Sequence, residues 1–211
     1  MSAIDTILNA IAPKENENAH REARARAKAL ARSGDWLSII LRHHERVEAA
    51  FAAVKVATMP EAQTLALKRL AVVLTGHANA EESVIYPAMA RANGKEHATL
   101  AYSEQASAKT DLALLETLVP LSPEYLERLE HLRDAVAHHV YEEESSWFPD
   151  LKANTSEQEQ SILAWRYQEE FDRYVGREER YDPYELADPE EVRPARHRVP
   201  DSIRRPAVRR D

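Results

Sequence analysis

Cysteine is absent from this 211-residue chain, and glycine and phenylalanine are scarce, with four and three residues respectively. Without cysteine the chain can form no disulfide, and it offers no thiolate nucleophile and no cysteine-ligated iron–sulfur or zinc site. The absence also agrees with a reducing compartment, so we expect a cytoplasmic protein. Few glycines and phenylalanines, beside abundant alanine, leucine, glutamate and arginine, favour helices over sheets.

Long apolar runs are missing as well. No stretch approaches the roughly 18 apolar residues of a membrane-spanning helix, and residues 1–12 lack the charged and continuous apolar regions of a signal peptide. A net charge of −8 argues against nucleic-acid binding by the folded body. With 44% hydrophobic and 30% charged residues, the chain has enough apolar sequence for one cored domain with appendages.

One motif, His-x-x-x-Glu-Glu-Ser-x-x-(Tyr or Phe)-Pro, occurs twice, at residues 77–87 and 139–149. Residues four apart on a helix point the same way, so each copy presents an imidazole beside a carboxylate. Two such helices facing each other would surround a shared centre with two histidines and two glutamates. Helical bundles build metal sites in this way.

Apolar residues at helical spacing predict four long helices, at about 36–58, 60–90, 95–119 and 123–153. Prolines, or an Asn-Gly pair, separate them. The short connections predict an all-α, up-down-up-down four-helix bundle. On the second and fourth helices, the histidine and first glutamate of each motif fall on the apolar stripe, facing the core.

The chain also extends beyond this bundle on both sides. We expect an N-terminal helical extension over residues 1–34, with a short amphipathic helix at 2–12 and a solvated, Ala/Arg-rich helix within 14–33. A fifth helix, from about residue 155 to 175, would pack outside the bundle or close one end. Residues 176–211 lose the helical pattern and turn from acidic to Arg-rich, so we predict a disordered tail.

Residues 35–175 resemble the hemerythrin-like (HHE cation-binding) domains. Leu41–Phe51 is similar to the first-helix signature of that family, and the two motif copies are similar to its second and fourth helices, including the proline that follows each. The resemblance implies a bundle that holds a non-haem metal centre with two irons. It assigns His44, His77 and His139 as terminal ligands, and Glu81 and Glu143 as bridging ligands.

The third helix departs from the family pattern, because the expected Glu-His pair is Glu104-Gln105 here. Glutamine is a poor ligand for iron, since its neutral amide oxygen competes weakly with water. Gln105 is therefore either a buried amide or a hydrogen-bond partner of a metal-bound water. The residues that remain as candidates to fill the gap, or to act beside the metal, are Tyr102, His97, His43 and Glu48.

The residue chemistry supports a metal independently of the resemblance. Imidazole with carboxylate suits iron, and also manganese or zinc. An ionised, unpaired carboxylate on a core stripe costs several kcal/mol, and the sequence offers no lysine or arginine at the depth of Glu81 and Glu143. The alternative for each His–Glu pair is a plain, partly exposed hydrogen bond. The neighbouring glutamates 82, 142 and 144 are expected to be solvated.

Two functions of different classes follow. The first, implied by the resemblance, is a centre that binds or reacts with O2, NO or peroxide, in sensing, storage or stress defence. Loss of the third-helix histidine leaves an open position, which favours oxidase- or peroxidase-like reactivity over reversible O2 carriage, with Tyr102 as a nearby redox or proton group. Iron storage or delivery is a further option.

The second function is a helical interaction or regulatory module that holds one zinc ion, or no metal, and acts through its terminal extensions. The Arg-rich tail would then offer a surface for RNA, an anionic lipid or an acidic protein partner.

Overall fold

The computed structural model describes residues 16–92 and 94–176, which contain helices and no strand. We number the helices α1 Glu17–Leu30, α2 Trp36–Val56, α3 Pro60–Ala80, α4 Tyr86–Arg91, α5 Lys95–Leu115, α6 Pro123–Glu142, α7 Phe148–Ala153 and α8 Glu157–Val175. Helix α3 continues into α4 through a π-helical turn, Glu81–Ile85, and α6 continues into α7 through another, Glu143–Trp147. The predicted helix at 2–12 and the predicted disorder of residues 177–211 lie outside the described residues.

Capping residues visible in the sequence set the helix boundaries. Asp35 accepts a hydrogen bond from a first-turn N–H of α2, and Ser122 does the same for α6. Ser156 begins α8 with a reciprocal capping box. Pro60 and Pro123 occupy the first turns of α3 and α6, where the missing N–H costs nothing. The sequence-predicted starts of these helices therefore agree with the structure.

The buried apolar side chains form two clusters. One contains Trp36, Tyr86 and Phe148, and the other contains Phe51 and Tyr125. Along each of α2, α3 and α5, the buried polar residues of the candidate site fall between members of one cluster and members of the other. The polar centre is thus enclosed along the bundle by hydrophobic packing. Within the described part of the chain, no helix is both long and apolar enough to cross a membrane.

Helix α8 is part of this core. It packs against α2 and α3, and its Tyr167 and Phe171 are buried. The contact with α3 is close: a Cβ added at Gly76, beside His77, would lie 2.5 Å from Cγ2 of Val175. The expectation that this helix packs outside the bundle or closes one end did not include its contact with the candidate site, where the Tyr167 hydroxyl lies 2.9 Å from Nδ1 of His77.

Helix α1 also packs on the body of the protein, against α2 and the π-helical turn Glu143–Trp147. Its thin apolar stripe is real, because Ala23 and Ala27 are fully buried. Arg24 lies between them in sequence and forms ion pairs with Glu48 and Glu144. The helix is therefore less solvated than its composition predicts.

Candidate metal centre

Each copy of the repeated motif contains one π-helical turn, which begins at the motif's first glutamate. Turns of this type are rare and occur frequently at functional sites. In the wider turn, the backbone N–H of the aromatic residue five positions later donates to the backbone carbonyl of the glutamate. Tyr86 N–H therefore bonds to the Glu81 carbonyl, and Phe148 N–H to the Glu143 carbonyl. In the first copy this sets the hydroxyl of Tyr86 3.2 Å from Oε2 of Glu81, and in the second it sets the Phe148 ring beside His44.

Four of the predicted ligands converge. One ligand atom from each of His44, His77, Glu81 and Glu143 lies within 4.8 Å of all the others. His44 and both glutamates are 0% exposed. Ionised groups at this depth need a compensating charge.

The distances indicate where a cation fits. Nε2 of His44 lies 3.2 Å from Oε2 of Glu143 and 3.8 Å from Oε1 of Glu81. These three atoms are buried, and none of them has a hydrogen-bond partner. Leaving such atoms unpaired costs about 1–3 kcal/mol each. One imidazole nitrogen and two carboxylate oxygens directed at one point suit a metal ion.

His139 lies on the other side of Glu143. Its Nε2 is 3.3 Å from Oε1 of Glu143 and 2.9 Å from the hydroxyl of Tyr86. Gln105 donates from its amide nitrogen to Oε2 of Glu81, at 2.7 Å. Glu143 therefore turns one oxygen towards His44 and the other towards His139, whereas Oε2 of Glu81 lies between Gln105 and Nε2 of His77, which is 3.2 Å away. Both glutamates thus face polar groups with both oxygens, as a bridging carboxylate must.

Nδ1 of each candidate histidine ligand also lies within hydrogen-bond distance of another side chain. Glu144 lies 2.7 Å from Nδ1 of His44, and Glu104 lies 2.7 Å from Nδ1 of His139. The hydroxyl of Tyr167 lies 2.9 Å from Nδ1 of His77. Such partners fix the ring orientation and leave Nε2 free to bind a metal.

The expectation that Glu144 is solvated is wrong. Its side chain is 2% exposed, because Arg24 of α1 covers it with ion-pair contacts of 2.8–3.0 Å. Glu82 is half-buried and accepts from Lys109, at 2.7 Å. The second glutamate of the motif is thus paired with a cation in both copies.

The electrostatics agree with a site built for added positive charge. Burial and the neighbouring Glu143 raise the pKa of Glu81 to about 7. Burial also acts to raise the pKa of Glu143, but the adjacent His139 and His44 hold it well below its usual value.

Among the histidines, burial opposes protonation, but the nearby carboxylates of Glu143, Glu144 and Glu81 stabilise the charged ring and keep the pKa of His44 well above its usual value. The pKa of His139 is raised to about 10, against burial, by Glu143 and Glu104. The pKa of His77 is lowered well below its usual value by burial and by the positive charge of His44. In the metal-free protein, protons on His44 and His139 therefore supply the positive charge.

The remaining candidates lie away from the converging atoms. His43 directs Nδ1 at the Tyr167 hydroxyl, 2.9 Å away, and its ring packs on Phe171 with centroids 3.9 Å apart. Burial and the nearby Arg46 and Arg42 lower its pKa to about 3, so this histidine is neutral. Its contacts are those of a support for the site, and they do not favour metal ligation.

Glu48 and Tyr102 are more exposed. The Glu48 side chain is 58% exposed and pairs with Arg24. Tyr102 is 39% exposed and donates to the carbonyl of Glu82 at 2.6 Å. Its ring meets Tyr86 edge-on, with centroids 5.2 Å apart. The tyrosine hydroxyl at the centre belongs to Tyr86. His97 stacks on the Trp147 ring.

A cavity of about 30 Å³ lies beside the cluster. His77, Gln105 and His139 line it, and most of its remaining wall is apolar, including Leu74 and Leu112. A volume of this order holds one or two waters or a diatomic molecule. The pocket places such a molecule next to three residues of the polar centre.

Sequence reasoning assigned no supporting role to five residues that hold the site together: Arg24, Tyr86, Glu104, Glu144 and Tyr167. A signal existed for Tyr86, because a tyrosine at a core position needs a partner for its hydroxyl. For Glu144, the signal was the repeated second glutamate of the motif. Arg24 and Tyr167 come from distant helices, and no local pattern marks them.

Comparison with known proteins supports this description of the centre. Residues 35–151 match the family described as the hemerythrin HHE cation binding domain. A protein of Nostoc sp. (strain PCC 7120 / SAG 25.82 / UTEX 2576), named DNA nickase, is 30% identical over 121 residues, which make up 57% of this chain and 34% of that relative. The chain therefore spans about a third of the length of the relative it matches. No solved structure matches the chain significantly.

Proposed function

This chain belongs to the hemerythrin HHE cation-binding domain family, and we propose that it is a non-haem iron protein with two irons that binds or reacts with O2, NO or peroxide. The observation that carries the proposal is the convergence of His44, His77, Glu81 and Glu143 in a buried cluster with unpaired ligand atoms. We also propose that α2, α3, α5 and α6 run up-down-up-down around the centre, in a cytoplasmic protein.

In this proposal the candidate ligands are assigned to two metal ions. His44 and His77 would bind on one side, and His139 on the other, with Glu81 and Glu143 shared between them. Glu144, Tyr167 and Glu104 hold the three imidazoles by their Nδ1 atoms. When bound, iron supplies Lewis acidity and one-electron redox chemistry.

The size of the cavity favours a small ligand. It is about 30 Å³ in volume and is lined by His77, Gln105 and His139. The mostly apolar wall excludes bulk water, while Gln105 can hydrogen-bond to a small polar molecule. A larger organic substrate would have to displace core side chains. These properties support O2, NO or peroxide as the ligand class.

The first test is metal content and the optical spectrum of the full-length protein, loaded with iron and exposed to air. We expect about two irons per chain, with loss of iron in His77→Ala. The matched control is Glu48→Ala, because that surface carboxylate lies outside the cluster. One zinc ion, or no metal, in a folded wild-type protein would refute the proposal and favour the interaction or regulatory module.

The second test addresses the ligand. The reduced, iron-loaded protein is mixed with O2, NO or peroxide, and the spectrum is followed in time. We expect a saturable spectral change with at least one of the three that is lost in His77→Ala. An unchanged spectrum with all three would refute the ligand assignment and leave iron storage or delivery as the use of the site.

DNA nicking is a second candidate function, favoured by the 30% identity to the relative named DNA nickase. The buried cluster argues against direct contact between a DNA phosphate and the metal ligands, since His44, Glu81 and Glu143 are all fully buried. Nicking through this centre would therefore proceed through a small reactive molecule that leaves the site.

A supercoiled plasmid assay with the iron-loaded protein separates the routes. Nicking that is lost in His77→Ala and suppressed by catalase supports a peroxide route from the metal centre. Nicking that survives both places the activity elsewhere on the chain. Intact plasmid throughout refutes the candidate.

A further inference from the structure

The hydroxyl of Tyr86 sits at the meeting point of four polar groups. It lies 2.9 Å from Nε2 of His139 and 3.0 Å from Oε1 of Glu143. It also lies 3.2 Å from Oε2 of Glu81 and 2.5 Å from Nε2 of Gln105. The whole side chain is 0% exposed. No other tyrosine in the described part of the chain contacts both central glutamates.

The Tyr86 oxygen lies among three candidate ligand atoms. Nε2 of His139, Oε1 of Glu143 and Oε2 of Glu81 are all within 3.2 Å of it. In the metal-free protein a neutral phenol can donate its one proton to a carboxylate and accept from Gln105 and His139 through its two lone pairs. A cation beside the oxygen would let the carboxylates, the imidazole and a deprotonated phenol all face positive charge.

The two copies of the motif differ at this position. Both continue from the π-helical turn into an aromatic residue followed by proline, but the first copy has Tyr86 where the second has Phe148. Phe148 stacks on the ring of His44, with centroids 6.2 Å apart, and has no oxygen to offer. The His139 side of the centre therefore carries a phenol that the His44 side lacks.

The same side also lacks an imidazole. His44 and His77 both contribute a ring nitrogen to the converging cluster, whereas the Tyr86 hydroxyl has one imidazole, His139, and the Gln105 amide beside it. The Gln105 amide nitrogen points at Tyr86 and Glu81. As a donor it cannot replace a metal ligand in this orientation, but it can stabilise a negatively charged phenol oxygen.

Building on the proposed iron centre, we propose that Tyr86 is a metal ligand: its phenolate oxygen binds the iron on the His139 side and takes the position that the missing histidine would fill. On loading, the O–H bond of Tyr86 breaks, an oxygen–metal bond forms and the proton leaves to the solvent. No electron is transferred in this step. The centre is then asymmetric, with two histidines on one iron, and a histidine and a tyrosinate on the other.

A tyrosinate on ferric iron gives a visible charge-transfer band, which imidazole and carboxylate ligands alone do not give. The test uses the full-length ferric protein, with iron per chain, the visible spectrum and resonance Raman scattering excited within that band. The variant is Tyr86→Phe. The matched control is Tyr102→Phe, because the Tyr102 ring packs on Tyr86 while its hydroxyl bonds to the Glu82 carbonyl.

We expect tyrosine ring vibrations in wild type and in Tyr102→Phe, and their loss in Tyr86→Phe together with weaker retention of one of the two irons. Two irons per chain without tyrosinate vibrations in wild type would overturn this inference and leave the proposed function intact. Absence of iron from wild type would overturn both.

If Tyr86→Phe fails to fold, resonance Raman spectra of wild type and Tyr102→Phe, both grown with ring-deuterated tyrosine, test the inference instead. Isotope-shifted bands that persist in Tyr102→Phe support Tyr86 as the ligand. Bands that do not shift overturn it.

Discussion

The hydroxyl of Tyr167 is the most informative atom to remove, because α8 lies wholly outside the matched family region and yet contacts a candidate ligand. The hydroxyl lies 2.9 Å from Nδ1 of His77 and 2.9 Å from Nδ1 of His43. If His77 binds metal through Nε2, its Nδ1 must carry the proton and donate it to the Tyr167 oxygen. Tyr167 then donates its own proton to His43, which is neutral.

Tyr167→Phe breaks both hydrogen bonds and leaves the buried Nδ1–H of His77 without an acceptor. Losing such a partner in the interior costs about 1–3 kcal/mol. In a metal site, loss of the outer partner of a ligand typically lowers metal affinity about 10–100-fold, and the lower end corresponds to about 1.4 kcal/mol. We therefore expect Tyr167→Phe to bind iron about 10–100-fold more weakly than wild type.

The assay is a chelator competition titration of the ferrous protein, run beside urea unfolding of the metal-free protein. Tyr174→Phe is the matched control, since it removes a hydroxyl from the same helix at a half-exposed position. A structural role alone would lower the unfolding free energy and leave iron affinity within about twofold of wild type. That outcome would refute the reasoning that Tyr167 positions a ligand.

Two further predictions concern charge at the site. Arg24→Ala removes the partner of buried Glu144, so we expect the free energy of unfolding, measured in urea, to fall by about 2–4 kcal/mol. The control Arg26→Ala, at an exposed position on the same helix, should change it little. Equal effects of the two substitutions would contradict the argument. Metal loading should release protons, because the pKa of His139 is raised to about 10 in the metal-free protein and a ligating imidazole must be neutral. Apparent affinity should therefore rise with pH from neutral towards about 10, and calorimetry in buffers of different ionisation enthalpy measures the protons released; a pH-independent affinity would contradict this.

The parts of the centre that follow from local geometry could be predicted from sequence. A histidine and a glutamate four residues apart on a core-facing stripe must share a helix face, so His77 with Glu81 and His139 with Glu143 follow directly from the spacing. His44 followed from the family resemblance together with the same apolar periodicity.

The contribution of Tyr86 could not be read from helical periodicity, because each motif copy widens into a π-helical turn directly at its glutamate. A 3.6-residue pattern treats the residue five positions later as plain core. The structure brings its hydroxyl to within 3.2 Å of that same glutamate, Glu81. Helical periodicity points to Tyr102 instead, because it lies one helical turn from Gln105, but the Tyr102 hydroxyl contacts the Glu82 carbonyl.

Arg24 and Tyr167 escaped prediction for a different reason, because their roles depend on contacts far apart in sequence. Arg24 pairs with Glu144 across 120 positions, and Tyr167 meets His77 across 90. Helix propensity and charge pattern describe α1 as a solvated helix and α8 as an outer one. Neither description includes the buried polar groups that these helices contact, which are the Glu144 carboxylate for α1 and Nδ1 of His77 for α8.

These two contacts also determine which helices are needed to hold the candidate ligands in place. The family match covers residues 35–151, and it includes every candidate histidine and glutamate ligand. It does not include Arg24, which pairs with the carboxylate that contacts Nδ1 of His44, or Tyr167, whose hydroxyl lies 2.9 Å from Nδ1 of His77. A buried imidazole without its outer partner loses both its orientation and its preferred tautomer. The unit that holds the candidate ligands in order therefore extends from α1 through α8, and the two flanking helices belong to the site as much as the matched bundle does.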